Sequence, residues 1–497
     1  MPRGVEGCGK TVQVHKALLN SCLNRTFNSM TSSKILSFLA AAMLSLPAAL
    51  AAQSRPAPAD TALVRSLMSE LVAIRSVSGS RETVTAANAV VARLRAAGFS
   101  EADAFVTGSP DSIGNVVARL RGKSSAKPIM LMAHLDVVPA LREDWTTDPF
   151  VLTEKDGWWY GRGVGDNKSG VVTIAANLIA WKRNGYVPDR DIIAVMTGDE
   201  ETNSDQIVWF ASGEGRKHIG NPELALNFDA GGGDIFSGKP AMLGVQTAEK
   251  VYISYRLTVR NAGGHSSQPR PDNAIYSLAR ALTRLASFNF PIEVNETARL
   301  SLQRAAAFEV DSIASLMRAV ARQPMDTAAA NRLTRITRFN AQLRTTCVAT
   351  RLTGGHADNA LPQMAQATVN CRMMPGSDTT VVVNRLKAVV ADTSVHFEEV
   401  RDATLSPPSP LPPRLLGTIE SVSAKFWPGV VVVPVMLSGA TDGAYVRNAG
   451  IPVYGVSGIF SEAGDSRAHG RDERIQPARL NDAVAYARAL IEALVRK

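Results

Sequence analysis

The 497-residue chain is 45% hydrophobic and 20% charged, the balance of an ordinary globular protein long enough for two compact units. Its net charge of +9 falls to +5 once residues 1–51 are set aside, because five basic residues there oppose Glu6 alone. No basic run carries interleaved aromatics, which argues against a nucleic-acid partner; the mild excess suits anionic small molecules or no particular partner.

At the N-terminus, Lys34, the apolar run 35–44 and the small residues of Ala49-Leu50-Ala51 have the form of a secretory leader. Met30 stands where such a leader would begin, which would make residues 1–29 an upstream mis-start. The run is short for a membrane span. The expectation is a periplasmic or secreted protein with no stable span after cleavage.

Beyond it, Asp60–Ile74 and Arg81–Ala97 have helical spacing of apolar residues. Asn115–Leu120, Ile129–Ala133, Asp191–Thr197 and Leu224–Phe228 read as strands, with a helix at Ser169–Lys182. That alternation predicts an α/β layered sheet. From Val251 the texture changes. Tyr252–Arg260 alternates like a half-exposed strand, Asn273–Leu285 is an amphipathic helix, and Thr345–Leu352 and Gln366–Met373 read as paired strands. A helix at Val381–Val390 and a strand at Val395–Val400 complete a β-α-β-β-α-β order, that of a ferredoxin-like module. Residues 289–344 are extra helix-like sequence within it, and Ser406–Pro413 reads as the way out. A strand near Val431–Pro434 or Val453–Val456 and a final helix at Leu480–Val495 return to α/β. The expected division is therefore a leader region at 1–51, one domain in two parts at 60–246 and 414–497, and an inserted module at 247–405. Gln246–Lys250 and Ser406–Pro413 are the expected hinges.

Cys347 and Cys371 fall on the two runs read as paired strands. Opposed residues can bridge, and export would permit a disulfide; two free buried cysteines are the alternative.

The chemistry-bearing residues gather at strand ends. In "MLMAHLDVVP", His134 and Asp136 project from one face of a strand. A metal-binding imidazole oriented by a carboxylate fits that spacing, and so does a core histidine bonded to an aspartate. "GRGVGDNKSG" sets Asp166 at a helix start, in a context that lacks the phosphate-loop spacing. "TGDEET" places three carboxylates together, a solvated turn unless cations neutralise them. "NFDAGGG" carries Asp229, and "RAHG" carries His469. Two histidines and several carboxylates at the ends of α/β strands suit zinc, with cobalt or manganese also possible.

Taken in order, these pieces together with "GGHSSQP", "NALP", "VNCRMMPG", "SGATDGAYVRNAGIPVYG" and "HGRDERI" resemble the co-catalytic zinc peptidase family of glutamate carboxypeptidase, acetylornithine deacetylase and succinyl-diaminopimelate desuccinylase. The resemblance implies a zinc-peptidase-like mixed sheet flanked by helices, with the inserted module as lid or dimerisation domain. It implies one Zn2+ on His134, Asp166 and Asp229 and a second on Asp166, Glu201 and His469. Asp136 would orient His134, Glu200 would be the general base, and His265 would donate to the oxyanion. Asn359 and Arg372 would hold a free carboxylate of the substrate. The implied activity is that of a carboxypeptidase or dipeptidase on a small peptide, or of a deacylase on an N-acyl amino acid. A homodimer is compatible with the resemblance. A non-catalytic binding protein on the same fold is disfavoured because every ligand and the base are present.

Overall fold

A computed structural model describes residues 58–496, apart from 111, 401, 402 and 463; the leader region expected at 1–51 lies outside the described residues. Its centre is a mixed ten-stranded sheet. Ile129–His134 runs parallel to both Ile192–Thr197 and Leu224–Asn227, and Leu224–Asn227 is parallel to Val453–Gly455. Every residue of Ile129–His134 is buried. Ile129, Leu131 and Ala133 join one core, while Met130 and Met132 join another on the opposite face. A strand covered on both sides has no solvent face to mark with polar residues, so it reads as an unbroken apolar run. Helices Thr61–Ala73, Glu82–Ala96, Lys168–Arg183, Pro413–Phe426 and Pro477–Val495 form the larger covering layer. Asp205–Ser212 and Gly443–Asn448 cover the other face. Both of the C-terminal alternatives are strands, Val431–Leu437 and Val453–Gly455.

A second, four-stranded antiparallel sheet is ordered Thr346–Gly354, Met364–Met373, Val251–Arg260, Val395–Glu399. Alternate residues Val251, Ile253, Tyr255, Leu257 and Val259 are buried beneath helices Ala274–Ser287 and Thr379–Val390. Cys347 lies directly opposite Cys371 and the two form a disulfide.

The extra segment 289–344 folds into short helices around Leu302, Met317, Leu333 and Phe339. It does not extend the second sheet outward. Its first helix, Glu296–Ala305, leans on the strand Val431–Leu437 of the main sheet. Arg304 pairs with Glu420 at 2.6 Å and donates to the Val432 carbonyl at 2.9 Å, and Phe308 stacks on Phe236 at 5.5 Å. The segments expected to be hinges are packed against their neighbours in this conformation. Gln246–Lys250 is buried and largely the end of the strand Lys239–Glu249, and Ser409 N–H donates to the Thr247 carbonyl at 2.7 Å. No helix among the described residues is long and apolar enough to cross a membrane.

Candidate metal centre and active site

Parallel strands that share a direction deliver their C-terminal ends to one edge, where open α/β sheets keep their ligands. His134 closes its strand there, Gly198–Glu201 follows Thr197, and Asp229 follows Asn227. Asp166 arrives from the turn before Lys168–Arg183. Glycine is required in that turn: Gly163 has φ +84°, and a Cβ would lie 2.7 Å from a Val137 methyl.

His134 Nε2 stands 3.1 Å from Asp166 Oδ1 and 3.4 Å from Asp229 Oδ1. His469 Nε2 stands 3.2 Å from Asp166 Oδ2 and 3.0 Å from Glu201 Oε2. Ligand atoms of His134, Asp166 and Asp229 all lie within 4.8 Å of one another, as do those of Asp166, Glu201 and His469. Asp166 therefore belongs to both groups. His134, Glu200 and Glu201 form a third such set. The five expected ligands and Glu200 converge on one place, although they come from positions hundreds of residues apart in sequence.

The electrostatics are those of crowded, buried carboxylates. Burial raises the Glu200 carboxyl well above its usual range, and the charges of Asp229, Asp442 and Glu201 push the same way against His134. Burial also lifts Glu201 to about 7. Hydrogen bonds from His134 and His469 overcome burial at Asp166 and lower it. The Asp166 hydrogen bond, with help from Glu201, raises His469 to about 9. Without positive charge beyond the two imidazoles, this many carboxylates cannot all ionise. Nitrogen and oxygen donors grouped in this way fit divalent metals.

Asp136 coordinates the surroundings. Its carboxylate accepts the Ser78 hydroxyl and the backbone N–H groups of Glu200 and Glu201, the last two at 3.2 and 3.0 Å. His134 Nδ1 lies 3.0 Å from the Asp136 carbonyl and 3.4 Å from its carboxylate. One residue thus holds both the imidazole and the turn bearing the two glutamates. Glu473 does the corresponding task for Asp166 and was not singled out from the sequence. Buried against Arg162 at 2.7 Å, it accepts the N–H groups of Gly163, Gly165 and Asp166 at 2.8 to 3.0 Å. The only signal was its place in "HGRDERI", four residues after His469.

A cavity of about 480 Å3 opens beside the cluster, lined by Glu200, Glu201 and His469 and, from the second sheet, by Tyr252 and Arg372. Arg372 stacks over the Tyr252 ring at 4.6 Å and donates to the Ser438 carbonyl at 3.2 Å. His265 and Asn359 are not brought to this cavity. They are neighbours on an exposed ribbon, where His265 pairs with Ala360 and the Ser266 N–H donates to the Asn359 carbonyl at 2.9 Å.

A mixed sheet carrying two candidate ligand groups that share one aspartate fits the architecture of a dinuclear metal centre. The sequence model of peptidase family M20/M25/M40 matches residues 130–493. The human N-fatty-acyl-amino acid synthase/hydrolase PM20D1 is 32% identical over 399 residues, covering 74% of this chain and 74% of that protein. The probable carboxypeptidase S-like 2 of Dictyostelium discoideum is 28% identical over 368 residues, covering 71% of this chain and 68% of that one. Among solved structures, the M20 family metallo-carboxypeptidase Sso-CP2 from Sulfolobus solfataricus matches with a TM-score of 0.65 at 17% identity, covering 87% of this chain and 99% of that one. Human carnosine dipeptidase 1 matches with a TM-score of 0.58 at 17% identity, covering 88% and 97%. The chain belongs to peptidase family M20/M25/M40, and it is an enzyme of that hydrolase family.

Proposed function

We propose that this enzyme is an exported zinc-dependent hydrolase that cleaves a peptide or N-acyl amide bond next to a free carboxylate, as a carboxypeptidase or dipeptidase does. The observation that carries the reading is the sharing of Asp166 between two ligand groups. His134, Asp166 and Asp229 would hold one Zn2+, and Asp166, Glu201 and His469 the other, with Co2+ or Mn2+ as substitutes. When bound, such metals acidify a water molecule and polarise the scissile carbonyl. Glu200 takes no ligand place in that scheme. Its carboxylate accepts the proton of the attacking water and passes it to the leaving amine. Arg372 offers a planar, two-pronged donor to the substrate carboxylate, with Asn359 as its partner, and His265 donates to the developing oxyanion.

His265 and Asn359 stand on the exposed ribbon away from the cavity. They act once the second sheet closes, or from the second subunit of a homodimer. The outer edge of Thr346–Gly354, with Val348 and Leu352 exposed, offers a surface for such a dimer. Export rests on the leader-like run at 34–51.

A second reading, an N-acyl-amino-acid deacylase, is favoured by the name and similarity of the human relative. The deciding experiment takes metal-loaded, leader-free enzyme through a panel of dipeptides and of short- and long-chain N-acyl amino acids. Dipeptide cleavage supports the first reading and selective deacylation the second. Inertness toward both, with metal bound, would overturn both readings.

A further inference from the structure

Several contacts outside the ligand cluster converge on Lys250. This residue joins the main sheet to the second one, and its backbone N–H donates to the Leu437 carbonyl at 2.9 Å. Its side chain is buried, with the residue 2% exposed. The ammonium donates to the carbonyl of Arg372 at 3.3 Å and, more closely, to the carbonyl of Arg344. Arg344 is the residue after the last helix of the extra segment, Thr337–Leu343. Arg372 is next to last in its strand, Met364–Met373, and its guanidinium lies over Tyr252 in the cavity that Lys250 also lines.

An ammonium costs a great deal to bury, and two carbonyls together with the charge of Glu293 offset only part of that cost, so burial still lowers the Lys250 pKa. A methionine would fill the same space at no such cost. What lysine adds is a three-way junction between the sheet-to-sheet crossing, the end of the helical segment and the strand end that carries Arg372. A guanidinium binds a carboxylate through two parallel hydrogen bonds, and so it depends strongly on where its backbone is held.

We propose that Lys250 is a positioning residue for recognition of the substrate carboxylate: by holding the Arg344 and Arg372 carbonyls together, it fixes the strand end from which the Arg372 guanidinium reaches the cavity. The inference rests on the reading of Arg372 as the carboxylate anchor.

The test compares an N-acyl amino acid with its C-terminal carboxamide, using metal-loaded, leader-free enzyme. The readout is the ratio of kcat/KM for acid over amide. Lys250→Met is expected to lower that ratio about tenfold, on the scale of a weakened charge-assisted hydrogen bond, mainly through KM for the acid. Lys250→Gln keeps N–H donors and is expected to fall between Met and wild type. It also carries the test should Lys250→Met fail to fold. A purely structural lysine would change acid and amide alike, and an unaltered ratio in the folded variants would overturn the proposal. Arg372→Met is the control. If its ratio also stays at the wild-type value, the anchor reading itself fails; if it collapses while the Lys250 variants do not move, only the role of Lys250 is lost.

Discussion

Arg447 and Glu249 form an ion pair of 2.6 Å in which each side chain is 1% exposed. Glu249 ends the strand leading to the second sheet, and it also accepts from Thr441 Oγ1 and Gln246 Nε2, both at 3.0 Å. Arg447 Nε in turn donates to Ser406 Oγ, on the returning segment, at 2.8 Å. Both crossings between the sheets are thus fastened to one buried charge pair.

Removing one member leaves the other buried without its partner. Arg447→Met should therefore cost about 3–5 kcal/mol of stability, whereas pairing it with Glu249→Gln should recover a good part of that loss. Thermal unfolding of both single variants and of the double variant decides the point. A double variant that loses the sum of the two single losses would show that the pair is not coupled.

Glu200→Gln should keep its metals and lose turnover by about 10²–10⁴-fold, the scale of a missing general base. Metal content by elemental analysis, read alongside kcat, separates this from ligand loss. A variant with full metal and near wild-type turnover would remove Glu200 from the mechanism.

His265→Ala should fold and bind metal normally while kcat drops by about 10²–10³-fold, as for a lost oxyanion donor. Mixing it with Glu200→Gln then reports on assembly. Recovered activity means that His265 serves a neighbouring subunit. Continued inactivity, together with a monomer by light scattering, means that each chain closes over its own site.

Metal loading should be coupled to protons. In the metal-free chain the Asp166 hydrogen bond and the Glu201 charge hold His469 protonated up to about pH 9. A metal needs the neutral imidazole, so below that pH it must expel the proton. Affinity should rise with pH from neutrality toward 9 as His469 gives up its proton. Titration calorimetry in buffers of different ionisation heat should show about one proton released from this group at neutral pH. Affinity that is flat from neutral pH up to that point would contradict the coupling.

Much of this was legible in the sequence, for identifiable reasons. Ile129–His134 is apolar because both faces are covered, so its one histidine stood out against the run. The carboxylates of Asp166, Glu201 and Asp229 lie where strands or turns end, and a pattern of ends survives without coordinates. Cys347 and Cys371 could be matched because antiparallel register is local. What was not legible depends on long-range packing. Lys239–Glu249 ends in polar residues that looked like a linker, yet Glu249 is buried because Arg447 comes to it from almost two hundred residues away. Glu473 reads as one charge in a charged stretch until the backbone of Gly163–Asp166 folds over it. His265 carries the right neighbours in sequence, but it lies on an exposed ribbon and does not line the cavity.

The helical segment 289–344 also has a bearing on solubility. Among the described residues, the strand it leans on, "VVVPVML", bonds to the main sheet only through Lys239–Glu249, so its other side is an edge. Long apolar edges recruit strands from other molecules, and Pro434 alone interrupts this one. Glu296–Ala305 lies against it, and Arg304 occupies the Val432 carbonyl. A shortened enzyme trimmed of these helices would expose a sticky rim, and its failure would show first as aggregates in the expressing cell, before any defect in catalysis could be measured.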